Sequence, residues 1–164
     1  MTVIRLTLAA AFLGLVTSCT PPAQEAPAPV PAKKTETAVA KAPKKQPRLN
    51  GRGKVSSISL TDAFTLQQSD KAVVYDARPH FFYVLGHLPG AISLPKVNCD
   101  AEIVKREAEI KSAVASGKTI VVYCTNFACP DARTVAMHLA DFGYSSSTLS
   151  GGWDSWKEAG LPTE

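Results

Sequence analysis

At 164 residues with a net charge of +4, the chain has room for one ordinary folded domain and a further segment, but not for two sizeable cores. The charge averages unlike parts: +1 over residues 1–18, +6 over 19–54 and −3 over 55–164. A folded module that is itself acidic argues against a role built on a basic nucleic-acid-binding face, so no nucleic-acid partner is expected.

The chain opens with a single cation, Arg5, followed by the apolar run Leu6-Thr-Leu-Ala-Ala-Ala-Phe-Leu-Gly-Leu-Val16. That run suits the core of a signal peptide and is shorter than the roughly 20 apolar residues of a membrane-spanning helix. It ends in Val16-Thr17-Ser18-Cys19, which resembles the lipobox of bacterial lipoproteins. The resemblance implies a signal peptide over residues 1–18, cleavage before Cys19 and lipidation of Cys19. Several acyl chains then anchor the protein stably to a membrane, as one alone would not. Thr20, where Asp is absent, resembles the pattern sorted to the outer membrane, so the expected location is the cell envelope, facing the periplasm. Residues 19–54 hold seven of the twelve prolines, many Ala and Lys, and no aromatic residue. Such a segment buries too little apolar surface to offset its ordering entropy and reads as a disordered linker. Its reach is on the order of 100 Å at ~3.1 Å per residue if extended.

From Val55 short apolar runs alternate with helical stretches. Ser59 to Gln68 reads as a helix capped by hydroxyls, Ala72-Val-Val-Tyr-Asp76 as a buried strand, His80 to Leu85 as a short helix and Ala91 to Leu94 as a short strand. Asp100 to Ser116 reads as one longer helix with an Asp cap, with Ile103, Ile110 and Val114 at helical spacing and Gly117 beyond its end. Thr119-Ile-Val-Val-Tyr123 is the clearest strand, continuously apolar and hence covered on both faces. Pro130 to Phe142 reads as a helix with proline in its first turn. Ser147 to Leu149 is a last strand, then the turn Gly151-Gly152 and a final helix from Trp153 to Ala159, where Trp153 and Trp156 serve core and rim packing. The alternation predicts a single α/β domain over 55–164, a mainly parallel sheet of about five strands with helices on both faces. In such sheets, sites form where strands end and helices begin.

Cys124 stands at such a point, and the loop Thr125, Asn126, Phe127, Ala128, Cys129 leads from it to the next helix. Backbone N–H groups of that loop and the helix N-terminus favour a thiolate and the anionic outer sulfur of a persulfide. The motifs around it carry a family resemblance. Asp76-Ala-Arg78 followed by Gly86-His87-Leu88-Pro89-Gly90-Ala91-Ile92 is similar to the opening signature of rhodaneses. Val121-Val-Tyr-Cys124, with Leu149-Ser-Gly-Gly-Trp153 and Trp156 downstream, resembles their strand, active cysteine and closing turn. The resemblance implies a sulfurtransferase: Cys124 as nucleophile takes a sulfane sulfur from a small donor such as thiosulfate and passes it to a thiol acceptor. It implies supporting roles for Asp76 and Arg78 as an ion pair and for His87 as the structural histidine of its turn, with no cofactor and no metal.

The chain departs from the rhodanese pattern beside Cys124. Active rhodaneses often carry a basic residue directly after the cysteine and an arginine five positions on; here stand Thr125 and Cys129. Asp131 adds a negative charge in the helix's first turn, and Arg133, one turn on, is the cation that partly compensates. An anionic donor is therefore expected to be attracted weakly. Cys129 is also a possible resolving thiol, since a curled loop brings two cysteines within the ~7 Å Cα separation a disulfide needs. Three functions stay open: an envelope sulfurtransferase working through a Cys124 persulfide, a thiol–disulfide enzyme using Cys124 and Cys129, and a non-catalytic module recognising an envelope protein partner. Cys99 reads as a free cysteine and His80 as exposed. Cys99, Cys124, Cys129, His80 and His87 lack the paired short spacings of zinc modules.

Overall fold

The computed structural model describes residues 51–164; the expected signal peptide, Cys19 and all but the last residues of the expected linker lie outside the described residues. Five strands, β1 (Val55–Ile58), β2 (Ala72–Asp76), β3 (Ile92–Ser93), β4 (Thr119–Tyr123) and β5 (Ser146–Leu149), form one sheet in the order β1-β5-β4-β2-β3. Every pairing is parallel. The helices between them are α1 (Leu60–Gln68), α2 (His80–Val84), α3 (Cys99–Lys105), α4 (Glu107–Ala115), α5 (Asp131–Asp141) and α6 (Gly152–Glu158). Among the described residues, no helix is long and apolar enough to cross a membrane.

The central strand β4 shows why the sheet needs cover on both sides. Side chains alternate across a strand, and Ile120, Val122 and Cys124 enter one core with Ile103, Ile110, Val135 and Leu139, from α3, α4 and α5. Val121 and Tyr123 enter the other with Ala63 of α1, Leu149 and Trp156 of α6. Trp156 is completely buried, meets Phe64 edge-on at 5.7 Å and donates its indole N–H to the Pro162 carbonyl at 2.8 Å. The continuous apolar run of β4 is thus the sequence mark of a strand with a core on each face.

The stretch expected as one helix from Asp100 to Ser116 is two. Arg106 (φ −96, ψ 10) leaves helical geometry and both ends α3 and starts α4. Ile103 and Ile110 are buried on either side of the bend, whereas Val114, in the last turn of α4, is exposed beside an open cleft. Asp100 is not the cap either. Asn98, in the left-handed region (φ 65), precedes the helix, and the Asp100 carboxylate pairs instead with His138 at 2.6 Å. The first strand, β1, lies at the sheet edge, and its Val-Ser-Ser-Ile pattern is too short and polar for a strand signal to stand out. Ahead of it, Arg52 pairs with Asp141 at 3.1 Å and the Gly53 N–H donates to the Ala140 carbonyl at 2.8 Å, so the chain is tied to the domain before Val55.

Candidate active site at the carboxyl end of β4

Cys124 follows β4 directly and is 3% exposed. Its carbonyl accepts the Trp153 N–H at 2.9 Å, and the Thr125 carbonyl accepts the Asp154 N–H at 2.9 Å, so the first turn of α6 clamps the backbone at the cysteine. This close approach demands glycine. Gly152 has φ +56, and a Cβ there would overlap the Cys124 carbonyl oxygen.

The loop after Cys124 curls because Asn126 organises it. The Asn126 side-chain carbonyl accepts the Ala128 N–H at 3.1 Å, its main-chain carbonyl accepts the Cys129 N–H at 3.2 Å, and its amide donates to Asp154 at 3.1 Å. Asparagine is suited to this, since its side chain imitates a backbone turn. The curl brings the Cα atoms of Cys124 and Cys129 to 6.1 Å, and the two sulfurs are joined as a disulfide. It also uses two of the five N–H groups expected to face the sulfur. Ala128 and Cys129 spend theirs on Asn126, leaving those of Thr125, Asn126 and Phe127 without a bond among the described residues.

Over this loop lies a cleft of about 410 Å³, whose walls include Cys124, Phe127, Cys129, Arg133, Thr148 and Gly151. Phe127 projects at its mouth, 81% exposed. Arg133 lines the cleft with no ion-pair partner among the described residues. Asp131 is already paired, with Lys96 Nζ at 2.5 Å. That lysine, from the segment after β3, offsets the carboxylate charge expected to repel an anion, and nothing in the local sequence around Cys124 signals it. A larger cleft of about 590 Å³ sits at the other end of the sheet between Lys54, Lys111, Lys118 and Tyr144. No cysteine lines it, whereas the smaller cleft holds Cys124 and Cys129.

Beneath the site, a polar network is sealed in the interior. Asp76 is fully buried; its carboxylate accepts from the Arg78 main-chain N–H at 2.9 Å, from Arg78 Nε at 3.0 Å to each oxygen and from Nη2 at 2.6 Å. Tyr123, the residue before Cys124, donates its hydroxyl to Asp76 at 2.6 Å and accepts the Leu88 N–H at 3.2 Å. Arg78 also donates to the Gly86 carbonyl at 2.7 Å and stacks on the Trp153 ring at 4.6 Å. Burial opposes the guanidinium's charge, but the hydrogen bonds and charge of Asp76 outweigh it and hold Arg78 protonated above its usual range. Burial pushes the Tyr123 phenol up as well, and the Asp76 carboxylate reinforces the shift. The network therefore joins the ends of β2 and β4, the Gly86–Leu88 turn and α6 into one support for Cys124. Arg78 does not reach the cleft; its charge is spent internally.

His87 stacks on Tyr83 at 3.9 Å, hydrogen-bonds the Tyr83 carbonyl through Nδ1 at 3.0 Å and exchanges two main-chain bonds with Glu164. His80 is exposed and bonds Ser93. Cys99 is a free, buried thiol whose pKa is raised by burial and by Asp100. Two groupings bring metal-type donor atoms within 4.8 Å of one another: Cys99, Asp100 and His138, and Cys124, Cys129 and Asp131. In the first the thiol is held protonated and His138 already bonds Asp100; in the second the sulfurs are bonded to each other.

The profile of the rhodanese-like domain family matches residues 59–159. Among curated proteins the chain is similar to an HTH-type transcriptional regulator of Mycobacterium tuberculosis, Rv0324, with 32% identity over 111 residues that cover 66% of this chain and 44% of the regulator. The chain thus spans less than half the length of that relative. Among solved structures it is similar to the BH2092 protein of Bacillus halodurans (25% identity, 66% of this chain and 76% of that one, TM-score 0.57). A Lactobacillus plantarum protein aligns at 27% identity over 66% of this chain and 87% of its own, TM-score 0.54. A rhodanese-related protein of Thermoplasma volcanium, at 20% identity, 66% and 97% coverage and TM-score 0.53, shares the fold.

Proposed function

Because the chain belongs to the rhodanese-like domain family, we propose that it is a sulfur-transfer enzyme of the bacterial cell envelope in which Cys124 is the nucleophile. The observation that carries this reading is the position of Cys124 at the carboxyl end of the central strand, under an open cleft and ahead of the N-terminus of α5. The Cys124 thiolate attacks the outer sulfur of a small sulfane donor. With thiosulfate, sulfite leaves with the electron pair of the broken S–S bond and Cys124 retains a persulfide. The N–H groups of Thr125, Asn126 and Phe127 and the α5 terminus stabilise the outer sulfur's charge. An acceptor thiolate then attacks that sulfur, takes it as its own persulfide and releases Cys124 as thiolate. The lipobox-like Val16-Thr17-Ser18-Cys19 supports a membrane-anchored protein facing the periplasm. The acidic balance of residues 55–164 supports small-molecule or protein thiols, not nucleic acid, as partners.

A second reading is favoured by the Cys124–Cys129 disulfide. Here Cys129 is the acceptor: it attacks the sulfur of a loaded Cys124, hydrosulfide or a thiolate leaves, and an external dithiol resets the pair by reduction. Intact mass under thiol trapping separates the two. After reduction and exposure to sulfane donors, the parent should gain a sulfur atom that a Cys124→Ser variant does not. If Cys129 discharges it, the persulfide accumulates only in Cys129→Ser, while the parent proceeds to the disulfide. No sulfur uptake by either protein from any donor, with Cys124 still open to alkylation, overturns the transfer reading. Arg133→Ala should raise KM for an anionic donor about 2–5-fold and leave that for a neutral one unchanged, as befits an exposed cation worth up to about 1 kcal/mol. Equal KM values for both donors would remove Arg133 from donor binding.

A further inference from the structure

Asp131 opens α5, is only partly exposed, and places a carboxylate oxygen within 4.8 Å of the sulfurs of both Cys124 and Cys129. Its other contact is Lys96 Nζ at 2.5 Å, from the segment between β3 and α3, which holds the carboxylate against the disulfide. No other carboxylate shares this position with both sulfurs among the described residues. We propose that Asp131 is the proton acceptor for Cys129 when that thiol discharges Cys124. The inference rests on the second reading, that the two cysteines work as a pair.

The chemistry requires such a group. Cys129 must lose its proton to become the nucleophile, because the thiolate and not the thiol attacks. In the step, Cys129 Sγ–H gives its proton to the Asp131 carboxylate, the Cys129 sulfur attacks Cys124 Sγ, and the bond from Cys124 to the sulfur it carries breaks. The electron pair leaves with that outer sulfur as hydrosulfide or thiolate, which recovers the proton from Asp131. The two cysteines are oxidised to the disulfide and the carried sulfur is reduced. A separation within 4.8 Å is one that a single water bridges, and within reach of a general base. The other charged and titratable groups facing Asp131 are Lys96 and the two thiols themselves; Arg133, two residues along α5, points to a different side of the helix and lines the cleft. Asp100 and His138 lie beyond Lys96, around a separate small cleft that Lys96 also lines. None of these is both a base and close to the two sulfurs.

The test uses the purified full chain with Cys19→Ser and Cys99→Ala in every sample, reduced and mixed by stopped flow with 5,5′-dithiobis(2-nitrobenzoate). One thionitrobenzoate leaves when Cys124 is loaded and a second when Cys129 resolves it, so the two steps are read in one trace. In the parent the second phase should vary weakly with pH between 6 and 8. In Asp131→Asn it should slow about tenfold or more at neutral pH, on the scale of lost general-base help. It should then rise tenfold per pH unit, as hydroxide replaces the carboxylate, with the total of two equivalents unchanged and the first phase no slower, since the lost charge only eases the approach of an anionic disulfide. Asp131→Glu should restore part of the rate and the weak pH dependence. A second phase in Asp131→Asn with the parent's rate and pH dependence overturns the role. So does uniform slowing at every pH, which marks a structural effect. Release of a single equivalent by the parent instead overturns the paired-cysteine reading itself.

Discussion

Reduction of the Cys124–Cys129 disulfide should weaken the domain without unfolding it. The bridge spans a sequence separation of only five residues, and the chain entropy that such a short ring removes from the unfolded state is worth roughly 2 kcal/mol at 25 °C. Against the ~5–15 kcal/mol of an ordinary domain this leaves the reduced protein folded. For a domain of this size it corresponds to a fall in Tm of about 8 °C, taking about 4 °C per kcal/mol. The assay is scanning calorimetry of the full chain, oxidised and under excess reductant, with mass spectrometry after thiol trapping to count the free thiols. Cys129→Ser should melt like the reduced parent and ignore the reductant. Complete unfolding on reduction would make the bridge a structural staple, incompatible with a pair that opens and closes in turnover. An oxidised parent with every thiol free would refute the bridge altogether.

Two further outcomes test the support beneath the site. Asp76→Asn keeps the side chain's volume but leaves Arg78, 3% exposed, without its carboxylate; breaking one side of a buried pair should cost about 3–5 kcal/mol in guanidinium unfolding, and a loss under about 1 kcal/mol would show that the pair is not sealed from water. Alkaline titration tests the phenols: burial pushes Tyr75 up to about 12 and Tyr123 higher still. Their folded values lie above their unfolded ones, so the native state keeps protons that the unfolded chain gives up. Stability is then full below about pH 10 and falls between pH 10 and 12 by about 1.4 kcal/mol per pH unit for each phenol. Tyr123→Phe should lower that slope by the share of one phenol, about 1.4 kcal/mol per pH unit, and flat stability through pH 12 would contradict the buried hydroxyl pairing to Asp76.

Much of the architecture was legible residue by residue because its signals are local. The apolar run of β4, the Asp131–Asp141 helix behind Pro130 and the Gly151-Gly152 turn are each dictated by neighbours in sequence, and the structure has them within a residue or so of where the pattern puts them. The bend at Arg106 was not legible, since every residue from Asp100 to Ser116 tolerates a helix and the break depends on how α3 and α4 each meet the sheet. Nor was the edge strand β1, whose Val-Ser-Ser-Ile sequence has no alternation of polar and apolar residues to mark it.

The site divides in the same way. That Cys124 ends an apolar strand and that a second thiol stands five residues on are legible in the sequence alone, and the resemblance to rhodaneses adds that Thr125 and Cys129 stand where that family often has cations. Whether that loop stays open as an anion cradle or curls shut on Cys129 depends on Asn126 bonding Ala128, Cys129 and Asp154 together. Where Asp131 and Arg133 direct their charges depends on Lys96, 35 positions away in the chain, and on the cleft wall built by α5. Local order follows from near neighbours, which the sequence places side by side. The electrostatic company of a sulfur is chosen by contacts across the fold, and those exist only once the chain has closed on itself.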